Sequence, residues 1–597
     1  MRLWVKLAFL ILLITACGRP ASAWTYGDTL TVIWKPLPNL PTILRPGDVL
    51  TVWAHTSSGA AGWNASLRLG SLTYPLVSTN AVWDASLGWW VLSFQVPFII
   101  HEELYDLTLG CSTCAPDTSR HSVKVVPAFK SDFCFAQISD THVPSHLTSS
   151  DNGFSTSDTT GMADFDAVIE DLNLIHPEFI LHTGDLVNEG ELEEYLSMYE
   201  MGRAQAMIFR LRDPLYLVSG NHDIGGWTPT PPPAGTSRKN WWRYFGWPCL
   251  ASPPAGFPYH SQVYSFDYGP LHCVGMEGYN NSGSYDNYLP AIYGANSMTA
   301  EEMNWLAADV LTVPQGHGKL AFIHYDFSNQ FTNPGALSLD GVIWGHNHGV
   351  AEGNRAAQPF NLGLQSVIYS GSGAGGRAFR VFWYTAMDGV ITPGPMHHSG
   401  GTSGTPADSL TVSWGAANNG TRSRNSATIT NRFGEPWPAA RLVFYLVDHD
   451  SLYAATGGSV TDVIRQSGVA AVYVSCPVGA SSVLTVSVVP TASALDVPPG
   501  TPEAVRLDPP SPNPFRPAAG HLGVRFTLPA PDRISVRVYD LSGREIATLF
   551  AGDAAPGEHT LEWDGALARG GAARPGVYLV RLATSSGERR AKIALLR

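Results

Sequence analysis

Basic residues are in short supply. Lysine and arginine together number 37 against 50 aspartates and glutamates, leaving a formal net charge of −13. No basic run is long enough to track a phosphate backbone, so long nucleic acid is disfavoured as a partner. Small phosphate compounds remain open, because bound metal ions can invert a local acidic field. Charged residues of all kinds make up only 15% and hydrophobic ones 44%, a balance that fits folded domains and excludes a disordered chain. Cysteine is also sparse, at seven. Cys111-Ser112-Thr113-Cys114 has no second pair to complete a zinc knuckle, so a tight disulfide or a loop pair is expected there. Cys134, Cys249, Cys273 and Cys476 are expected as buried small hydrophobes or as pairs that the sequence does not assign. Apolar runs of membrane-spanning length are missing too.

The apolar run Leu7–Ile14 follows Arg2 and Lys6 and precedes Ala21-Ser22-Ala23, the pattern of a cleaved export signal over residues 1–23. Ile14-Thr15-Ala16-Cys17 offers the alternative of a lipobox with Cys17 as a lipidated first residue. A chain of 597 residues exceeds one hydrophobic core, and three to five domains are expected. Residues 24–128 carry short alternating runs such as Leu50–Ala54 and Trp90–Phe94, the pattern of a β-sandwich. From about residue 129 strands alternate with helices. Phe133–Ile138, Phe179–His182, Leu215–Val218, Lys319–Ile323 and Gly341–Trp344 read as core strands. Phe165, Val168, Ile169, Leu172 and Ile175 line one helical face, a second helix is expected from Glu191, and Thr299–Glu302 forms a capping box for a third. The Pro- and Trp-rich stretch 228–262, with Trp241, Trp242, Tyr244 and Trp247, reads as a packed aromatic cluster or a substrate wall. A Gly/Ser/Thr-rich linker is expected from 393 to 405, another β-sandwich from 406 to 492, and a Pro-rich linker leads to a last β module over 497–597.

Five short motifs fall at strand ends in the α/β region: Asp140-Thr141-His142, Gly184-Asp185, Gly220-Asn221-His222-Asp223, His324, and Gly345-His346-Asn347-His348. Loops beyond the carboxyl ends of such strands converge on one crevice. They would bring together four imidazoles, two carboxylates and one amide oxygen, with His222 left over. That set suits two ions of iron, manganese, zinc or nickel rather than calcium. Asp185 is the natural bridge, since the remaining ligands then divide evenly. The three glycines permit sharp turns and close backbone approach. His182 is expected as a packed strand histidine, and His146, His260, His397 and His398 as surface residues.

In order and spacing, this set resembles the calcineurin-like metallophosphoesterase family over about 260 residues. The run Tyr264–Gly269 and the helix near Trp305 are similar to that family as well. The resemblance implies a multidomain chain whose centre, residues 129–392, is an α/β metallophosphoesterase sandwich of two β-sheets flanked by helices, with β-sandwich domains N- and C-terminal to it. It implies that Asp140, His142, Asp185 and His348 hold one metal and that Asp185, Asn221, His324 and His346 hold the other. His222 would donate a proton or stabilise the transition state, oriented by Asp223. Two ions roughly 3.5–4 Å apart would make a bridging hydroxide available near neutral pH for attack on a phosphomonoester or phosphodiester. Two departures stand out. Tyr325 follows His324 where many relatives have tandem histidines, and Asn188 stands where a purple acid phosphatase has its tyrosine ligand. Gln137–His142 is also similar to the cyclic-nucleotide phosphodiesterase branch. A surface protein that binds glycan or a partner, with an inert phosphoesterase domain, is the other alternative. Asn513-Pro514-Phe515, Val538–Gly543, Trp563-Asp564-Gly565 and Gly576–Arg581 resemble the Ig-like sorting domains of type IX secretion. That second resemblance implies attachment at a bacterial cell surface or passage through an outer membrane.

Overall fold

The computed structural model describes residues 29–143, 158–188, 194–224, 241, 243–245, 263–277, 300–326, 337–348, 353–368, 376–400, 410–448, 451–493 and 505–596, the last range without 518–519, 530, 542, 555–556, 568–570 and 586. The export signal, Cys17, His146, Trp242, Trp247, Cys249, His260 and Thr299 of the capping box lie outside them. No described helix is long and apolar enough to cross a membrane. The chain divides into two units, one of Met1–Asp448 with Tyr453–Val489 and one of His449–Leu452 with Pro490–Arg597.

The central region alternates strand and helix. Its elements are β1 (Phe133–Ile138), α1 (Asp158–Ile175), β2 (Ile180–His182), α2 (Glu194–Ile208), β3 (Leu215–Leu217), α3 (Asn221–Ile224), β4 (Tyr264–Tyr268), β5 (Leu271–Gly275), α4 (Ala300–Thr312), β6 (Gly318–Phe322), β7 (Gly341–Trp344), β8 (Phe360–Gly363), β9 (Ala378–Thr385) and β10 (Val390–His398). They form two five-stranded sheets, in the orders β3-β2-β1-β9-β10 and β4-β5-β6-β7-β8. Strands β1, β2 and β3 run parallel, as do β5 to β8. Side chains alternate across a strand, so β1 contributes to two cores. Phe133 and Phe135 join Phe322, Phe360 and Phe382 between the sheets, while Ala136 and Ile138 meet the apolar face of α1. Phe135 stacks on Phe382 with ring centroids 5.0 Å apart, and Phe360 lies 6.0 Å beyond. Leu306 and Val310 of α4 cover the other face of the second sheet.

The linker expected from residue 393 is in part a strand. β10 continues through His398, and Pro393, Gly394 and Pro395 are accommodated because β10 is an edge strand with a register shift opposite Arg380–Phe382. His397 is accordingly buried rather than on the surface, between Phe379, Phe433 and Trp437.

Residues 33–125 form eight strands joined in one sheet. They are continuous because the long strand Leu72–Asp84 pairs with Asn64–Leu69 through its first half and with Trp89–Gln95 through its second. Cys111 and Cys114 form a disulfide across a hairpin end. Cys273 and Cys476 are buried, and Cys134 is partly so.

Residues 410–493 build a four-stranded and a three-stranded sheet. They are not an independent neighbour of the central region. Helix α1 packs against the strand Trp437–Val447, so Phe165 and Leu172 share one core with Leu442, Phe444 and Val474. A buried ion cluster ties all three regions of this unit. The Asp213 carboxylate, 1% exposed, faces Lys124 Nζ at 3.4 Å, His176 Nδ1 at 2.8 Å and Arg441 at 3.9 Å. Burial alone would raise this carboxyl, but His176 and Lys124 hold it below the usual carboxylate range.

The second unit has a three-stranded and a four-stranded sheet around their own core. Its motif aromatics Phe515, Trp563 and Tyr578 are buried and touch in sequence.

Candidate metal centre

The carboxyl ends of β1, β2, β3, β6 and β7 open on one crevice, and each delivers a polar loop to it. The loops are stitched by their own backbones. Asp140 N–H donates to Gly184 O at 3.0 Å, His142 N–H to Asp185 O at 3.0 Å, and Gly345 N–H to His324 O at 3.0 Å. Five of the seven expected ligands adopt the left-handed backbone region: Asp140 (φ 53°), His142 (38°), Asp185 (53°), His346 (68°) and His348 (40°). Such conformations are uncommon for residues other than glycine and cost on the order of 1–3 kcal/mol each. Their concentration at one crevice means the surrounding sheet ends hold them there.

The glycines are there for room. A Cβ on Gly220 would lie 2.2 Å from Asp185 Oδ1, and one on Gly345 would lie 1.8 Å from Ser139 Oγ and 2.5 Å from Asp140 Oδ2. Gly184 has φ 96° and faces the His324 ring.

Two groups of donors result. In the first, His348 Nε2 is 3.2 Å from Asp140 Oδ1 and 3.0 Å from His142 Nε2, which lies 3.7 Å from Asp185 Oδ2. In the second, His324 Nε2 is 3.1 Å from Asp185 Oδ2 and 3.2 Å from Asn221 Oδ1, with His346 alongside. Within the set Asp140, His142, Asp185 and His348, and within Asp185, His324 and His346, one ligand atom per residue lies within 4.8 Å of every other. Asp185 is common to both.

The donor chemistry fits a cation. His324 Nδ1 lies 2.7 Å from Thr183 O, which can only accept, so Nδ1 carries the hydrogen and neutral His324 presents a lone pair at Nε2. That lone pair meets the oxygens of Asp185 and Asn221. Asp185 Oδ2 is buried with no hydrogen-bond donor among the described residues. Three lone pairs converging in a buried space repel one another unless positive charge sits among them, as a metal ion or a proton. The same pressure acts on His324, which burial would depress but which Asp185 pushes up to about 9. Burial would raise Asp140, yet His142 and His348 hold it well below the usual range. Burial lowers His142, and lowers His346 to about 4, which keeps both rings neutral and able to ligate.

His222 sits beside the first group, its ring centroid 4.6 Å from that of His142. Its backbone N–H donates to Asp185 Oδ1 at 2.9 Å, and its Nδ1–H donates to Asn188 O at 2.7 Å. Burial lowers the ring to about 3. Asp223 was expected to orient this ring, but its carboxylate is engaged by backbone instead. Oδ2 accepts Gly220 N–H at 2.7 Å and Oδ1 accepts Val187 N–H at 3.0 Å, which braces the β2 and β3 loops against each other. Burial and the nearby Asp185 push Asp223 up to about 8.

His182 is fully buried beneath the site. Its Nδ1 accepts Gly184 N–H at 3.2 Å, and its Nε2 lies 3.1 Å from Thr141 Oγ1, whose own proton goes to Leu186 O. Tyr325 packs its ring 4.2 Å from that of His346. Trp241 and Tyr244 are buried in the core with α1. The contacts absent from the sequence reading are the carbonyls of Thr183 and Asn188 and the carboxylate of Glu200, which accepts Asn188 N–H at 2.9 Å. A backbone carbonyl leaves no trace in residue identity.

The family model for calcineurin-like phosphoesterases matches residues 134–350, under half of the chain, and that for the FlgD Ig-like domain matches 517–588. A dimetal phosphatase from Danio rerio is 13% identical with a TM-score of 0.29, over 42% of this chain and 92% of that one. The sulfate thiohydrolase SoxB from Thermus thermophilus is 11% identical with a TM-score of 0.29, over 45% of this chain and 57% of that one. PorZ, a surface component of the type-IX secretion system of Porphyromonas gingivalis, is 14% identical with a TM-score of 0.13, over 37% and 43%. No curated protein matches. The family match and the two donor groups sharing Asp185 together make the central domain a binuclear metallophosphoesterase domain, a hydrolase of phosphoric ester bonds.

Proposed function

We propose that, with a calcineurin-like phosphoesterase domain at its centre, this protein hydrolyses small phosphomonoesters or phosphodiesters outside the cytoplasm. The observation that carries the reading is the division of seven donors from five loops into two groups with one shared carboxylate. Asp140, His142, Asp185 and His348 would hold one ion of iron, manganese, zinc or nickel, and Asp185, Asn221, His324 and His346 the other. Bound there, such ions supply a hydroxide nucleophile near neutral pH and offset phosphoryl charge. The chain's own residues do the rest. Asp140 and Asp185 set the negative field that draws cations in, and the left-handed loops keep the imidazoles aimed without rearrangement during reaction. His222, its Nδ1–H directed at Asn188 O, would face the departing oxygen and, once it carries a second proton, pass that proton to it, a contribution of about 10²–10⁴-fold.

Export is part of the proposal. It is supported by the N-terminal pattern Arg2, Lys6 and Leu7–Ile14, and by the Ig-like match at the other end, a module type suited to surface attachment. The test uses the full chain, loaded with manganese, zinc or iron and assayed on aryl phosphate mono- and diesters. The wild type should hydrolyse at least one class, and Asp185→Asn should abolish that activity together with most of the bound metal. A wild type that binds two ions yet cleaves neither class would sink the enzyme reading in favour of an inert, ligand-binding domain.

A further inference from the structure

We propose that Glu200 is a positioning residue for His222, acting through the backbone of Asn188. This rests on the reading of His222 as the group facing the leaving oxygen. Glu200 is fully buried on α2, twelve positions beyond Asn188, and its Oε1 accepts the Asn188 N–H at 2.9 Å. Val143 O shares that same N–H at 3.1 Å. At the other end of residue 188 the carbonyl accepts the Nδ1–H of His222 at 2.7 Å. One residue is therefore held at its amide by a helix and a sheet-end loop, and at its carbonyl it holds the ring.

Two features make this more than loop packing. The amide that Glu200 accepts already has an acceptor in Val143 O. The second contact adds direction rather than satisfaction, because two acceptors fix the amide vector more firmly than one does. Asn188 O also fixes the tautomer of the ring, because a carbonyl can only accept. If residue 188 rotates, the tautomer is no longer specified and the ring can swing out of line.

The test compares Glu200→Gln, which keeps an acceptor oxygen, with Glu200→Leu, which removes it, in the full metal-loaded chain. Two readouts are taken. In proton NMR the hydrogen-bonded Nδ1–H of His222 gives a downfield signal, assigned by its loss in His222→Asn. It should persist in Glu200→Gln and broaden or vanish in Glu200→Leu, whether or not the protein hydrolyses anything. In kinetics, Glu200→Leu should lose roughly 10–100-fold in kcat on an alkyl phosphate, whose leaving oxygen needs a proton. On p-nitrophenyl phosphate it should lose less than about threefold, with KM and metal content unchanged. In the His222→Asn background the same substitution should add nothing. If Glu200→Leu does not fold, Glu200→Asp, which withdraws the oxygen by one methylene, must show the same selective loss. Equal losses on both esters, loss of metal, or an unaltered Nδ1–H signal would overturn the proposal and leave Glu200 as packing. A wild type inactive on both esters would refute the hydrolase reading, while the NMR comparison would still decide the positioning claim.

Discussion

Gly345→Ala puts a methyl group where there is no space for one. The added carbon would sit 1.8 Å from Ser139 Oγ and 2.5 Å from Asp140 Oδ2, against ordinary contacts of roughly 3.4 Å or more. Ser139 is fully buried at the end of β1, so neither neighbour can swing into solvent. The relief has to come from moving the β1 loop or the β7 loop by about 1 Å or more, and both loops carry expected ligands. Overpacking of this kind costs about 1–3 kcal/mol of stability, which a unit with this much shared core should survive. Misplacement by about 1 Å costs catalysis on the order of 10²-fold. The expected variant is therefore folded, with its thermal midpoint lowered by a few degrees, depleted in metal at the Asp140–His348 group and at least about 100-fold slower on aryl phosphates. The assays are elemental analysis after dialysis, followed by initial rates at saturating metal. Gly434→Ala is the control, because nothing lies within 4 Å of the carbon it would add. A Gly345→Ala protein with two ions and wild-type rates would refute the claim that these loops have no slack.

Asp213→Ala would leave Lys124, His176 and Arg441 with one carboxylate fewer beside Glu102, and a loss of about 3–5 kcal/mol is expected in denaturant unfolding; a loss under about 1 kcal/mol would show that Asp213 contributes no net stability. His272 bridges Asp267 and Asp309 at 2.8 Å each; burial would lower its pKa, but the two carboxylates push it up to about 9. A raised folded-state pKa contributes stability that is complete below the unfolded value near 6.5 and is lost as pH climbs through 9, so the thermal midpoint should fall across that interval and His272→Gln should flatten the slope.

The convergence of the candidate ligands on one crevice was legible because each follows an apolar strand, and strand ends in an α/β layer have one place to go. The strands themselves announced their limits where both faces are buried, as in Phe133–Ile138 and Gly341–Trp344. What escaped notice depends on partners distant in sequence. His397 is buried by Phe433 and Trp437, which come from a region the composition marks as separate. Pro393-Gly394-Pro395 looked like a break because those residues usually are one, and only the edge position and the bulge opposite Val381 make them a strand. Asp223 is next to His222 in sequence, which invites pairing them, yet the one-turn helix carries its carboxylate back onto Gly220 and Val187. Adjacency in the chain was a poor guide to adjacency of function.

Helix α1 is roofed twice, by β1 on one side and by the strand Trp437–Val447 on the other. Anyone who trims the gene to the matched family segment would strip the second roof and leave a greasy flank in water, with Asp213 parted from Lys124 and Arg441. The practical seam lies further on, near residue 490, where the compact unit closes.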